Sequence, residues 1–449
     1  MQTRRLSRDI LGVLGTRGVW SVLGLLTGVI LARKLGPHDR GVFALVILVP
    51  STIVTLVKLG ITQANVYFIN RQREPIEQVA ANCTVLALGV GLTAAFVVWE
   101  AQGSLLSTVL RGVAPWALAI ALVRVPLLLL DDYLYGVLQA AGSFHIYNSR
   151  LVVSEVVRFA LIALALVAFG MGLFAATLIY TLVTIGNVAW LVVATRRRIP
   201  FGLRVDGRLL RQQLAFGLKS YVQTLTSHAL LRVDVYMVAA LLGPAETAFY
   251  SLALRFTEMV LEIPQAVGLV LYPRLATLPP EEVHRLTAQA CRRTLVLTGL
   301  GAVLCSLVGP YLITLWYGAA YTPAGAPLPW ASVGVLSMSI FVILTRAFTS
   351  QNRQQVNIAA GVVALASNVG LNLYLIPTAG IVGAAMATAI SYSSACLLLM
   401  IFYLLDSRLS LAEVLVLQRD DVRFFWGIIR QIVQRGWRLA GLGSAPAGR

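Results

Sequence analysis

Seven cationic side chains, Arg17, Lys58, Arg124, Arg158, Lys219, Arg232 and Arg255, sit inside long apolar runs of this 449-residue sequence. A cation at the centre of a membrane helix costs about 2.5–3.5 kcal/mol on insertion scales, so seven facing lipid would cost on the order of 20 kcal/mol. Most are therefore expected to face water or one another. The same runs hold four acids, Glu155, Asp234, Glu258 and Glu262. An excess of guanidinium suits a phosphate or diphosphate, which accepts paired hydrogen bonds from Arg. A carrier of organic cations would show the reverse balance. Whether Asp234, Glu258 or Glu262 carries a coupled proton or sodium ion stays open at this level.

Helical spacing gathers these groups on faces. The first apolar span carries Arg17, Ser21, Gly24 and Gly28 on one stripe, and the second carries Thr55, Lys58, Thr62 and Asn65. The fourth aligns Arg124, Asp131, Tyr135 and Gln139, with Pro126 placed to bend it. The fifth aligns Tyr147, Arg150, Ser154 and Arg158, with Glu155 slightly to one side. The seventh groups Lys219, Gln223, Thr226, Ser227 and Asp234, and turns Tyr221, His228 and Arg232 the other way. The eighth sets Ser251, Arg255, Glu258 and Glu262 on one face. Together these faces predict a hydrated central cavity.

Plainer readings stand beside the functional ones. Arg150 reads as a cytoplasmic loop residue, and Asp131 with Asp132 as inner-interface groups. Lys58 has a headgroup within reach of a snorkelling side chain. Arg255 and Glu258 are spaced for an ion pair within one helix, and Glu155 is spaced to neutralise Arg158. His228 reads as a packing histidine. Asn357, Asn368 and Asn372 read as hydrogen-bonding glue between helices.

The elements that must hold these faces follow from composition. Hydrophobic residues make up 58% of the chain and charged residues 12%, with mean hydropathy +0.80, beyond the range of soluble domains. Each crossing needs ~20 mostly apolar residues. On that criterion about twelve spans are expected, near 9–33, 41–64, 78–99, 109–130, 148–169, 172–194, 214–242, 247–272, 287–310, 328–349, 356–376 and 380–404. The fold class is therefore an all-α polytopic membrane protein.

The chain also repeats itself. LARKLGPHDRGVFAL (Leu31–Leu45) aligns without a gap on VAALLGPAETAFYSL (Val238–Leu252), with Gly36 on Gly243, Pro37 on Pro244 and Phe43 on Tyr250. A Gly-Pro turn recurring near the start of each half points to a duplicated bundle. The expected organisation is a six-helix bundle over 1–194, a basic cytoplasmic linker over 195–213, a second six-helix bundle over 214–405 and a cytoplasmic tail over 406–449. A weaker echo pairs Gly170-Met171 with Gly380-Ile381. In the tail, Phe424–Leu439 is a basic amphipathic stretch suited to the inner leaflet.

Orientation comes from Arg and Lys in short loops. With the amino terminus inside, the cytoplasmic side holds Arg4, Arg5, Arg8, Arg71, Arg73, Arg150, the arginines of the linker, Arg274, Arg285, Arg292, Arg293 and Arg353. The outside keeps Arg33, Lys34, Arg40 and Arg111. Both termini are thus expected in the cytoplasm, and the first span, long and carrying Arg17, does not read as a cleaved signal peptide.

Other classes are disfavoured. No G-x-x-x-x-G-K-[ST] loop is present for ATP hydrolysis. Cys83, Cys291, Cys305 and Cys396 lack Cys-x-x-Cys spacing, and His38, His145, His228 and His284 are scattered. No disulfide, metal or other cofactor is expected, and nucleic acid is not an expected partner. No long extracytoplasmic loop offers room for a catalytic site, so an enzyme is not expected.

The segments ARKLGPHDRGVFAL, LLRVDVYMVAALLGPAETAFYSLALRF, VGLVLYPRLATL and SQNRQQVNIAAGVVALASNVGLNLYLIPTAGIVGAAMATAISY resemble the polysaccharide-transporter (oligosaccharide flippase) family. That family lies within the multidrug/oligosaccharidyl-lipid/polysaccharide (MOP) exporter superfamily, and the resemblance spans about residues 5–405. It implies two six-helix bundles facing each other in a V and working by alternating access. The implied task is moving an undecaprenyl-diphosphate-linked oligosaccharide from the inner to the outer leaflet of a bacterial cytoplasmic membrane. Partners would be that lipid-linked substrate, membrane lipids, and a polymerase or glycosyltransferases of the same pathway. The diphosphate is then expected at Arg17, Arg124, Arg158 and Arg255, with Lys219, Arg232 and Lys58 as further candidates. Two other readings remain: a cation-coupled exporter of small amphipathic molecules, and a non-transporting scaffold for glycosyltransferases. Arg33 and Lys34 put more charge in the first outer loop than the orientation rule favours.

Overall fold

The structure, a computed structural model, describes residues 2–142, 144–427 and 430, with side chains for all of these except 2–21, 144–148, 219–220, 222–224, 226–228 and 280. Every regular element among the described residues is helical. In chain order they are α1 (Gln2–Val57), α2 (Ile61–Asn70), α3 (Ile76–Glu100), α4 (Gln102–Ser107), α5 (Pro115–Ala140) and α6 (Phe144–Ile162). There follow α7 (Leu173–Arg196), α8 (Gly207–Leu242), α9 (Pro244–Leu275), α10 (Pro280–Tyr317), α11 (Leu328–Ser350), α12 (Gln354–Ser407) and α13 (Leu411–Leu415). A π-helical turn, Ala163–Ala168, extends α6, and a 3-10 turn, Ala319–Gly325, follows α10.

Two helices break at a glycine: α1 at Gly36 and α12 at Gly380. With both halves of each counted, α1, α3, α5 to α11 and α12 supply twelve long segments among the described residues. Seven described helices are long and apolar enough by themselves to cross a membrane. The long helices α5, α8 and α9 fall outside that set, and they carry Arg124, Arg232, Asp234 and Arg255.

The duplicated Gly-Pro turn has a backbone reason. Gly36 sits at φ 74°, ψ 174° and Gly243 at φ 95°, ψ −174°. This corner of conformational space is essentially closed to residues with a Cβ. Pro37 and Pro244 follow, fixing φ for the first turn of the next helix while lacking an N–H that would go unbonded there. The weaker echo shares a feature too, since Gly170 and Gly380 both have positive φ, 62° and 58°.

The chain forms two compact units. One contains Met1–Arg255, Val308–Leu328 and Leu365–Thr388. Its core lies along α1, α3 and α5, where Ala80, Ala87, Ala117 and Ala121 are fully buried beside Val79, Leu129 and Tyr133. Small residues at such positions let helix backbones approach closely, which is how membrane helices gain packing without a hydrophobic drive. At the Gly36 end of this unit, Arg33 closes onto α10. Its Nε donates to the carbonyl of Trp316 at 2.7 Å and its Nη2 to that of Leu315 at 2.8 Å. The Tyr321 hydroxyl donates to the carbonyl of Ala32 at 3.1 Å. The last carbonyls of a helix lack partners within it and carry the negative end of its dipole. Arg33 therefore has a structural use at a place where the loop-charge rule found it out of place.

The other unit contains Phe256–Leu307, Pro329–Ala364 and Ala389–Arg449. Its core joins Leu271, Ile343, Leu344, Phe348, Leu399 and Tyr403. The start of the tail is fastened to α10: Asp421 accepts from Arg292 Nε at 2.5 Å and from Arg293 Nε at 2.9 Å, and Arg292 also donates to the Glu413 carbonyl. The Arg293 guanidinium stacks on Phe424 at 4.0 Å. Most of the expected amphipathic stretch 424–439 lies outside the described residues.

Burial works against the Asp421 charge, but hydrogen bonds from Arg292 and Arg293 outweigh it and hold the carboxyl below its usual range. A group depressed in this way stabilises above its unfolded pKa of about 4 and loses that stabilisation as pH falls through the folded value. Amide protection of residues 411–427 in hydrogen exchange should stay constant from pH 8 to about 5 and weaken below about 4, and Asp421→Asn should weaken it at pH 7. For the turns, Gly36→Ala and Gly243→Ala should each lower stability in thermal unfolding by about 1–3 kcal/mol. No atom lies within 4 Å of where either new Cβ would sit, so the loss would be backbone strain alone.

Candidate functional site

Two charged rungs join α5 and α6 in the first unit. On one, Arg150 donates both terminal nitrogens to the Asp131 carboxylate. Arg150 is 1% exposed, so the expectation of a cytoplasmic loop residue is corrected: it is a buried, ion-paired arginine of α6. Asp132 beside it accepts from the Thr62 hydroxyl at 2.6 Å. Two helical turns along, the second rung brings together like charges. Arg124 is 8% exposed, interacts electrostatically with Arg158, and has no hydrogen-bond partner for Nε or Nη1 among the described residues.

Around that second rung lie the other groups of the cluster. Arg158 pairs with Glu155 one turn earlier on α6, and its guanidinium lies over the Tyr180 ring of α7 at 4.8 Å. Glu155 also feels Arg255 of α9. Gly24 of α1 lies beside both, since a Cβ there would stand in ordinary contact with them, 3.7 Å from Glu155 Oε1 and 3.8 Å from Arg255 Nη2. Guanidinium groups from α6 and α9 therefore meet one carboxylate, and a third from α5 lies beside Arg158. Glu155 interacts with two of these cations, Arg158 and Arg255, while the charged neighbour of Arg124 is Arg158.

A second polar centre is built on Asp234 of α8, which is 1% exposed. Its Oδ2 accepts from the Tyr250 hydroxyl at 2.6 Å and the Thr388 hydroxyl at 3.2 Å, and its Oδ1 accepts from the Val235 N–H at 2.8 Å. Asn368 reaches the same Thr388 hydroxyl at 3.4 Å, and Asn372 donates to Asn368 at 2.8 Å. The glue expected of the two asparagines thus converges on an acid. Tyr250 is the residue that the repeat sets opposite Phe43, and Phe43 packs its ring edge-on against Tyr180 at 4.9 Å. Both copies of the repeat deliver an aromatic residue to a polar centre.

The remaining expected residues fall elsewhere. Lys58 is half-buried in the break between α1 and α2, where Leu59 and Gly60 have positive φ, and its carbonyl accepts from the Tyr133 hydroxyl at 3.2 Å. Arg232 is half-buried on α8 and interacts with Asp234 and Tyr236. Glu258, half-buried, and Glu262, exposed, belong to the second unit. The side chains of Arg17 and Lys219 lie outside the described residues. Sequence reasoning missed Tyr180, which looks like an ordinary apolar-span aromatic, and Tyr317, which falls between two expected spans although α10 runs through it. It also missed Arg40, assigned to a loop although α1 resumes directly after Gly36.

The helices define a multi-pass all-α membrane protein. A model of the family described as polysaccharide biosynthesis protein matches residues 8–278, more than half of the chain, and the chain belongs to that family. A probable low-salt glycan biosynthesis flippase, Agl15 of Haloferax volcanii, is 23% identical over 230 residues, 49% of this chain and 48% of that protein. The chain thus matches about half the length of that relative. Among solved structures, the lipid II flippase MurJ in an inward closed conformation superposes with TM-score 0.74 at 14% identity, covering 89% of this chain and 90% of that one. An inward-facing multidrug resistance MATE family transporter gives TM-score 0.68 at 15% identity, covering 87% and 94%. A MOP superfamily transporter from Pyrococcus furiosus gives TM-score 0.63 at 15% identity, covering 90% and 94%.

The two rungs should respond oppositely to one substitution. Arg124→Met removes buried donors that cost roughly 1–3 kcal/mol while unbonded, so the melting temperature in detergent should hold or rise. Arg150→Met strands Asp131 and should lower stability by about 3–5 kcal/mol.

Proposed function

We propose that this protein is a flippase that carries a polyprenyl-diphosphate-linked oligosaccharide across a bacterial cytoplasmic membrane by alternating access, with both termini in the cytoplasm. Arg124 carries the reading. A guanidinium buried in an apolar helix, beside another guanidinium and with unbonded donors, is what a diphosphate would complete. Each phosphate accepts paired, charge-assisted hydrogen bonds that a neutral or cationic cargo does not. Arg158 and Arg255 supply the neighbouring charges, and Arg17, Lys219, Arg232 and Lys58 are the further cations of the route. The relative named a probable low-salt glycan biosynthesis flippase and the structural neighbour named a lipid II flippase support a flippase reading. A coupled cation is assigned to Asp234, whose carboxylate is already held by three donors, with Glu258 and Glu262 as the other acidic candidates. The exporter reading asks for acids where this chain has arginines.

The test uses purified protein in liposomes containing a polyprenyl-diphosphate disaccharide whose sugar is read by a membrane-impermeant oxidant. Wild type should expose the inner-leaflet sugar, and Arg124→Gln or Arg255→Gln should slow this at least ~10-fold, the loss of one charge-assisted bond of about 1.5 kcal/mol or more. Wild type that moves an organic cation and not the sugar lipid would establish the exporter instead. Wild type that moves neither would favour the scaffold.

A further inference from the structure

Arg40 lies one turn beyond the Gly36 break in α1 and is half-buried. Its guanidinium is 5.8 Å from the centre of the Phe43 ring. Phe43 meets Tyr180, and the Arg158 guanidinium lies over the Tyr180 ring at 4.8 Å. A continuous path therefore runs cation, ring, ring, cation from Arg40 to the cluster. A second path runs through Tyr317, which interacts with both Arg40 and Arg255 and whose hydroxyl lies 3.8 Å from where a Cβ on Gly28 would sit. Tyr321 stands beside Tyr317, with ring centres 6.1 Å apart, and also feels Arg40.

No hydrogen bond or ion pair engages the Arg40 side chain among the described residues, and the adjacent Asp39 pairs with His38 instead. Phe43, Tyr180, Tyr317 and Tyr321 face it, all neutral near pH 7. Arg40 is thus a fourth cation, with Phe43, Tyr180 and Tyr317 set between it and Arg158 and Arg255.

A single cluster strong enough to hold a diphosphate would also hold it back. Passage of a charged species requires binding firm enough to enter and a further site that lets it leave. We infer that Arg40 is a second, weaker phosphate-binding station on the Gly36 side of Tyr180 and Tyr317, receiving the diphosphate from the Arg124–Arg158–Arg255 cluster. This inference rests on the flippase reading and adds a step to it.

The experiment compares Arg40→Gln, Arg40→Lys and Arg124→Gln with wild type in two measurements. The first is equilibrium binding of a short-chain polyprenyl diphosphate to the full chain in detergent. The second is the liposome flipping rate as a function of substrate. Arg40→Gln should bind within about twofold of wild type yet show a maximal rate at least ~10-fold lower with little change in half-saturation, whereas Arg124→Gln should lose binding. Arg40→Lys should restore the rate to within about threefold, because it keeps the charge. A wild-type rate in Arg40→Gln would overturn the inference. So would a loss of binding as large as that of Arg124→Gln, or a failure of the lysine to restore transport. Those outcomes leave the flippase reading standing, whereas wild type that does not bind the diphosphate at all would overturn both.

Discussion

A guanidinium cannot rest in an apolar helix bundle without an anion, water or a ring face to meet it. That constraint organises the first unit. Arg150 meets it with Asp131, and the result is a buried closed pair whose role is to hold α5 against α6. Arg158 meets it with Glu155 below and Tyr180 above. Arg124 has two buried nitrogens, Nε and Nη1, without a hydrogen-bond partner, and no carboxylate pairs with it among the described residues. Folding has thus fixed the position of a charge that folding alone does not satisfy. Under the flippase reading proposed above, such donors would be preorganised, standing in place before a ligand arrives.

The Asp234 centre works by a different balance. There the charge is negative and its donors are neutral hydroxyls and a backbone N–H from α8, α9 and α12. Three helices share one carboxylate, so any change in what that carboxylate holds is felt by all three. The cationic cluster draws on α5, α6 and α9 and borders Gly24 of α1. Helix α9 belongs to both, through Tyr250 for the acid and Arg255 for the cluster. These residues lie five apart, about 7.5 Å along a helix rising ~1.5 Å per residue, so a shift of α9 that loosens one centre moves the other.

Much of this was legible in residue order. The spans stood out because apolar runs have few competing readings, and the Gly-Pro repeat marked two backbone breaks of the same geometry because only glycine occupies it without strain. The stripes of Arg124, Arg158 and Arg255 were visible from helical spacing, which fixes the face of a helix. Spacing does not fix which helix that face meets. Arg150 therefore passed for a loop residue until the rotation of α5 brought Asp131 to it. Tyr180 escaped notice because an aromatic residue in an apolar span looks the same whether it faces lipid, a core or a cation. Arg40 was misassigned because the turn at Gly36 takes almost no residues, so the helix resumes where a loop was expected.

The fork from Arg33 to the carbonyls of Leu315 and Trp316, with the Tyr321 hydroxyl on Ala32, makes the junction of α1 with the end of α10 cooperative. Its three bonds share one rigid patch, and two of them come from a single planar group. They form and break together, because a tilt that spoils one misaligns the rest. Such a junction has no half-undone state of low energy. Opening it would bare the carbonyls of Ala32, Leu315 and Trp316 together, and water reaching them would have to replace all three contacts at once.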